Sequence, residues 1–224
     1  MKTMKKPIAL LMMLLMVAGT AMSQKYFTGK ITYKIDFDMK DLPEEARGML
    51  PKTMTMLVGD NKVKTEMFTQ MGTQGSVIDL DKGIQTSLIN MMGQKYAIRQ
   101  TADEIAQEAA SEGEMTVTLI DETMEIAGYT CKKALVKGAK ESDPVFTAWY
   151  TDALAAPENL NFTNPIFKKI KGVMLKYDME AGQGMKMTMT AIEVEKMKVK
   201  DKEFEIPEGY QQTTQEEMMR NLGG

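Results

Sequence analysis

The sequence predicts a mainly β protein of the α+β class: a single curved antiparallel sheet, or half-barrel, with a few inserted helices as a lid. Three observations carry this. Stretches alternating apolar with polar residues recur along most of the chain, the joints between them are of hairpin length, and one long stretch changes face part-way.

The first stretch, residues 30–39, sets Ile31, Tyr33, Ile35, Phe37 and Met39 on one face and Lys, Thr and Asp on the other. That is the pattern of a half-buried strand. Similar stretches follow at 54–58, 63–67, 77–80, 84–89 and 96–98, and later at 115–120, 129–136, 145–151, 173–179 and 185–199. Gly59-Asp60-Asn61, Asp81-Lys82-Gly83 and Gly182-Gln183-Gly184 are short enough to join antiparallel neighbours. The glycines of GTQG at 72–75 and GQG at 182–184 fit turns rather than phosphate loops, because no helix opening with Lys-Ser or Lys-Thr follows.

In 185–199, Met185, Met187 and Met189 share a face, the apolar set moves to Ile192 and Val194, and it moves back at Met197 and Val199. A one-residue slip exchanges the faces of a strand, so two bulges or bends are expected, as a curved sheet requires. Helices are expected at 41–50 and 101–112. Residues 157–172 form a third candidate, where Pro165 allows a short helix only from that point onward. The chain from 211 to 224 reads as a polar tail, with a frayed helix as one reading.

Residues 1–23 read as an export signal: Lys2, Lys5 and Lys6, an apolar run over 8–17, then AGTAMS. Ten apolar residues fall well short of the roughly 20 that span a bilayer. Cleavage after Ser23 leaves Gln24 first, which is no acceptor for a lipid anchor. The expectation is a soluble periplasmic protein without an integral membrane segment, folded as one domain over 24–210. Without the three signal lysines the chain has 25 basic and 31 acidic residues, a net of −6. This disfavours nucleic acid and anionic membrane as partners.

The chain has no histidine, which removes His-based triads and the commonest ligand of transition metals. The acid pairs Asp36/Asp38 and Glu193/Glu195 alternate with apolar neighbours and read as solvated strand faces, although carboxylate-pair and Ser-Lys mechanisms stay formally open. No enzyme activity and no cofactor is expected. Cys131, the one cysteine, reads as a small core residue. An exposed thiol pairing with another chain is the alternative.

Twenty-four methionines remain to be explained, most visibly MKMTMT at 185–190. They could be packed core, the deformable lining of an apolar cavity, or soft ligands for copper. Their spread over nearly every strand, with no His or Cys nearby to assist, weighs against copper, and no metal-binding residues are assigned. The candidate ligand-binding set is Met54, Met56, Tyr96, Trp149, Met185, Met187 and Met189, each on the apolar side of its strand. Alternation does not separate a cavity from a filled core.

As a set, FTGKITYKIDF, MTMLVGDNKVKTEM, SVIDLDKG, GQKYAI, IAGYTCKKA, AWYTDAL and FEIPEGY resemble an exported family of Gram-negative bacteria built on a domain of unknown function. The resemblance runs from Tyr26 to Tyr210. That family is similar to the half-barrel superfamily of the LolA and LolB lipoprotein carriers. The resemblance implies a curved sheet holding acyl chains beneath helical lids, and so a non-enzymatic carrier of a lipid, a lipoprotein acyl chain or another apolar ligand. No site residue of the carriers transfers to a position here. An envelope interaction module with a self-filled core, and a methionine-based copper-binding protein, are the alternatives.

Overall fold

Period-two sequence becomes strand almost everywhere in the computed structural model, which describes residues 26–38, 44–91, 93–111, 115–138, 143–157, 159–164, 166–180, 185–214, 217 and 220. In chain order the elements are β1 (Gly29–Phe37), α1 (Glu44–Met49), β2 (Thr53–Val58), β3 (Lys62–Thr69), β4 (Gly72–Asp79), β5 (Ile84–Met91), β6 (Gln94–Thr101) and α2 (Ala102–Ser111). They continue with β7 (Thr116–Ile126), β8 (Tyr129–Lys137), β9 (Val145–Thr151), β10 (Val173–Glu180), β11 (Lys186–Lys196) and β12 (Gln211–Thr213). All twelve strands join one sheet in the order β12-β6-β5-β4-β3-β2-β1-β11-β10-β9-β8-β7.

The chain starts in the middle of this sheet. From β1 it walks outward to β6, crosses to the far edge through α2, and walks back from β7 to β11, which pairs with β1. The crossing requires curvature. Ten inter-strand steps separate β6 from β7, about 48 Å measured along the sheet. The residues between Thr101 and Thr116 reach at most about 30 Å, a ten-residue helix plus a short extended piece. The open sheet therefore curls, bringing its two edges towards each other.

Three irregularities help it bend. Opposite β1 the register of β11 skips Ile192, opposite β9 that of β10 skips Leu175, and opposite β8 that of β7 skips Asp121 and Glu122. Of the two slips expected in 185–199, the first is the bulge at Ile192. The second does not arise, because β11 ends at Lys196, before Met197. The β7–β8 hairpin turns on Ala127 and Gly128, both at positive φ (50° and 81°), the backbone of a two-residue primed turn. Glycine at 29 has a packing reason: a Cβ there would stand 2.0 Å from the Glu195 carbonyl oxygen. Gly72 closes the β3–β4 turn, but Gly75, expected in a turn, lies inside β4. The 182–184 turn lies outside the described residues.

The helix expected at 101–112 is α2, and its start is a capping box. The Glu104 carboxylate accepts the Thr101 N–H at 2.6 Å and the Thr101 hydroxyl accepts the Glu104 N–H at 3.3 Å. The Thr101 N–H, and after it the Thr101 hydroxyl 2.8 Å away, donate to the Glu104 carboxylate and hold it below its ordinary pKa. The helix expected at 41–50 appears as α1, with 41–43 outside the described residues. The polar tail opens with β12, which pairs in parallel with β6 and is the one parallel partner in the sheet among the described residues. A second capping box, between Thr214 and Glu217, follows it.

The helix expected at 157–172 does not form. This segment, the long connection between β9 and β10, is a run of tight turns: Leu160 N–H bonds to the Pro157 carbonyl, Phe162 to Asn159, Asn164 to Asn161, Phe167 to Asn164 and Ile170 to Phe167. The reason is its asparagines, whose amides compete with helical hydrogen bonding. Asn164 Oδ1 accepts the Ile166 N–H, while the Asn161 amide donates to the carbonyls of Ile170 (2.8 Å) and Gly172 (3.2 Å). Asn159 donates to the Leu80 carbonyl at 2.9 Å. The segment is thereby pinned across the sheet as a plug. Phe167 is fully buried on β8–β10, against Ala134, Ala148, Phe146 and Tyr150, and Leu160 joins the larger cluster of Ile31, Tyr33, Val58 and Val63.

Candidate functional site

Two neighbouring cavities remain on the face that carries the plug. The inner one, about 210 Å³, lies among β1–β4, β10 and β11, and Leu160, Asn161, Thr163 and Asn164 of the plug cover it. The outer one, about 570 Å³, is walled by Phe37, Met71, Asn90, Met91, Met185 and the α1 stretch Met49-Leu50-Pro51. Met67 and Met187 line both, so the two are contiguous. The outer volume falls inside the roughly 300–1,000 Å³ typical of small-ligand sites, and the inner one falls below it.

Methionine dominates the walls. Of the fourteen methionines among the described residues, eleven line one or both cavities; Met115, Met124 and Met197 are the others. Sheet register produces this. Met54 pairs with Tyr33 on one side and Met67 on the other, Met56 with Ile31 and Thr65, and Met187 with Phe37 and Met179. Met189 pairs with Ile35 and Tyr177. Residues directly opposite in neighbouring strands share a face, so these rows present thioethers to the same space.

Among the described residues, no acid, lysine or arginine lines either cavity. Polar groups there are neutral, and several are paired. The Tyr33 hydroxyl donates to the Met174 carbonyl at 2.8 Å and lies 3.8 Å from the Met56 sulfur, and the hydroxyls of Thr65 and Ser76 meet at 2.9 Å. Burial pushes the phenols of Tyr33 and Tyr177 well above their ordinary pKa, so both stay neutral. The described walls offer an apolar chain dispersion contacts and weak dipoles.

Five of the seven expected residues come together: Met54, Met56 and Met189 in the inner cavity, Met185 in the outer, and Met187 in both. Two do not. Tyr96 lies on the same face, in the row that runs from Met54 through Met67, Gln74 and Ile89. It sits four strands from Met54, about 19 Å along the sheet, in a polar recess with Gln211, Gln212, Glu217 and Arg220. Its hydroxyl donates to Gln94 Oε1. Trp149 lines neither cavity, and its buried ring belongs to the larger core cluster with Tyr33 and Met54. It pairs with Lys133 and Lys176, with the Lys133 ammonium 5.5 Å from the ring centre. Both faces of β9 are apolar, which is why alternation misplaced it.

Alternation within single strands also missed Met67 and Met179. Hairpin arithmetic finds them: counting outward from the 59–62 turn sets Met67 opposite Met54, and counting from the 182–184 turn sets Met179 opposite Met187. Met49, Met71 and Met91 carry no such signal. Cys131 is fully buried, and burial raises its thiol to about 11, which suits the core reading. Groups of three or more Cys, Asp or Glu able to hold a metal are absent among the described residues, and no described helix is long and apolar enough to cross a membrane.

No protein-family model matches the chain, and no curated protein matches it by sequence. Among solved structures it is similar to PNGF-II, solved in a C2 space group, with a TM-score of 0.54 and 16% identity over 87% of this chain. It is also matched to a beta-barrel-like protein of domain of unknown function DUF1849 from Brucella abortus, at 10% identity over 77% of this chain and 99% of that one. That TM-score, 0.27, is too low to carry an argument. The likeness to PNGF-II shows fold alone, a mainly β, open curved sheet, and this chain spans only 32% of PNGF-II's length.

Proposed function

We propose that the protein is an exported, periplasmic, non-enzymatic binding or carrier protein for an apolar ligand such as a lipid or a lipoprotein acyl chain. One observation carries the reading: eleven methionines surround two contiguous cavities, and no charged side chain lines either among the described residues. Unbranched, polarizable thioethers adapt to chains of variable shape, whereas an ionic head group would find no partner among the described lining and stays in water at the mouth. The curved sheet and the helix at the mouth suit the half-barrel carrier kinship suggested by the sequence.

Purified protein should bind the neutral probe N-phenylnaphthylamine and carry co-purified lipid visible by mass spectrometry. Met187→Lys places a charge where the two cavities meet. It should abolish probe binding while the far-ultraviolet circular dichroism stays native. A second reading has an observation of its own: the plug already fills the β8–β10 half, as an envelope interaction module with a self-filled core would require. That reading expects no probe binding and no lipid, and expects Met187→Lys to unfold the protein.

A further inference from the structure

We propose that Met49 and Met71 are oxidation sites through which a hydroperoxide weakens ligand binding, an inference that rests on the apolar-ligand reading above. Exposure falls along the cavities. At the mouth Met49 and Met71 are 49% and 45% exposed, while deeper in Met54 and Met189 are 7% and 1% exposed. A peroxide in solution meets the mouth thioethers first.

The step balances without a cofactor. A thioether sulfur lone pair attacks one peroxide oxygen, the O–O bond breaks and an S–O bond forms. Sulfur is oxidised to the sulfoxide, and the peroxide is reduced to water, or to an alcohol if it is an organic hydroperoxide. A sulfoxide is a strong dipole on a side chain that was apolar. Set in the wall of a cavity whose described lining is neutral, it gives an apolar chain a poorer contact and draws water into the mouth. Sulfoxide reductases reverse the change.

The fold supplies its own control. Met124 and Met197 are 38% and 46% exposed and line neither cavity, so they react under the same conditions without touching the site. The experiment treats the full-length mature protein with graded hydrogen peroxide, maps sulfoxides by peptide mass spectrometry, and titrates N-phenylnaphthylamine before and after. Oxidation at Met49 and Met71 should weaken probe binding on the order of tenfold. Sulfoxide reductases acting on both epimers should restore it, and the double variant M49L/M71L should keep its affinity in peroxide although Met124 and Met197 still oxidise. The proposal is overturned if Met49 and Met71 oxidise with affinity unchanged, if they resist peroxide that oxidises Met124 and Met197, or if the double variant loses affinity as the wild type does. Failure of the untreated wild type to bind the probe would instead remove the apolar-ligand reading, and this inference with it.

Discussion

The two halves of the plugged face use different residues to meet the same strand geometry. On β8 and β9, Ala134 and Ala148 pair directly, and their small side chains leave a slot that receives the ring of Phe167, edge-on to Tyr177 with centroids 5.7 Å apart. On β2, β3 and β11 the corresponding rows carry methionines, and Met67 and Met187 border open space in both cavities. A row of small residues accepts one rigid knob and becomes core. A row of long, flexible residues leaves space that adapts, and there the fold keeps room for a ligand.

The harshest way to break the comparison is Phe167→Ala. Removing a fully buried ring from its slot should cost about 3–5 kcal/mol, read as a fall in the urea midpoint at constant slope. If the loss is small, the filled half is not packed as described. Asn161→Ala leaves two carbonyls of the plug without their donor. It should cost about 1–3 kcal/mol and, by loosening the cover of the inner cavity, speed probe entry in stopped-flow fluorescence.

Tyr33 joins the halves, since its ring lines the inner cavity and its hydroxyl reaches the β10 carbonyl of Met174. Tyr33→Phe should cost about 1 kcal/mol. It also bears on alkaline stability. The folded-state pKa of Tyr33 lies above its ordinary value of 10.0, so the unfolded chain gives up this proton first. Stability is complete below that value and falls as pH rises through it and above. Tyr177 acts in the same direction, so Tyr33→Phe should flatten the decline without abolishing it. Unfolding midpoints at a series of pH values above 9 would show this, and an unchanged slope would contradict it. The smallest effect belongs to the open half. Met67→Leu keeps volume and apolarity in an adaptable wall and should change stability by less than about 1.5 kcal/mol, far less than Phe167→Ala does in the same denaturation series.

Strand positions, turns and five of the eleven cavity methionines were legible in the sequence because they depend on local regularities: alternation across a pleat and turn chemistry between short runs. The helix α2 was legible for the same reason, its Thr101–Glu104 capping box being a local pattern. Residues 157–172 were misread because Asn161 bonds to the carbonyls of Ile170 and Gly172, 9 and 11 residues on, and Asn159 to that of Leu80, which it meets only once the strands are in place. Trp149 was misplaced because both faces of β9 are apolar, and alternation does not separate cavity wall from packed core. Tyr96 was on the right face and in the wrong place, since alternation reports side and not distance.

By itself the sequence determined that the chain alternates, turns back on itself repeatedly, carries no histidine and stores methionine on strand faces. Those are properties of neighbouring residues, fixed by the pleat and by backbone sterics. Hairpin counting reaches the pairs Met54–Met67 and Met179–Met187, and tertiary structure alone decided that those pairs face one space. That depends on pairing between strands far apart in the chain, on a curvature set by the reach of α2 across the sheet, and on a long connection that fills one half and leaves the other open.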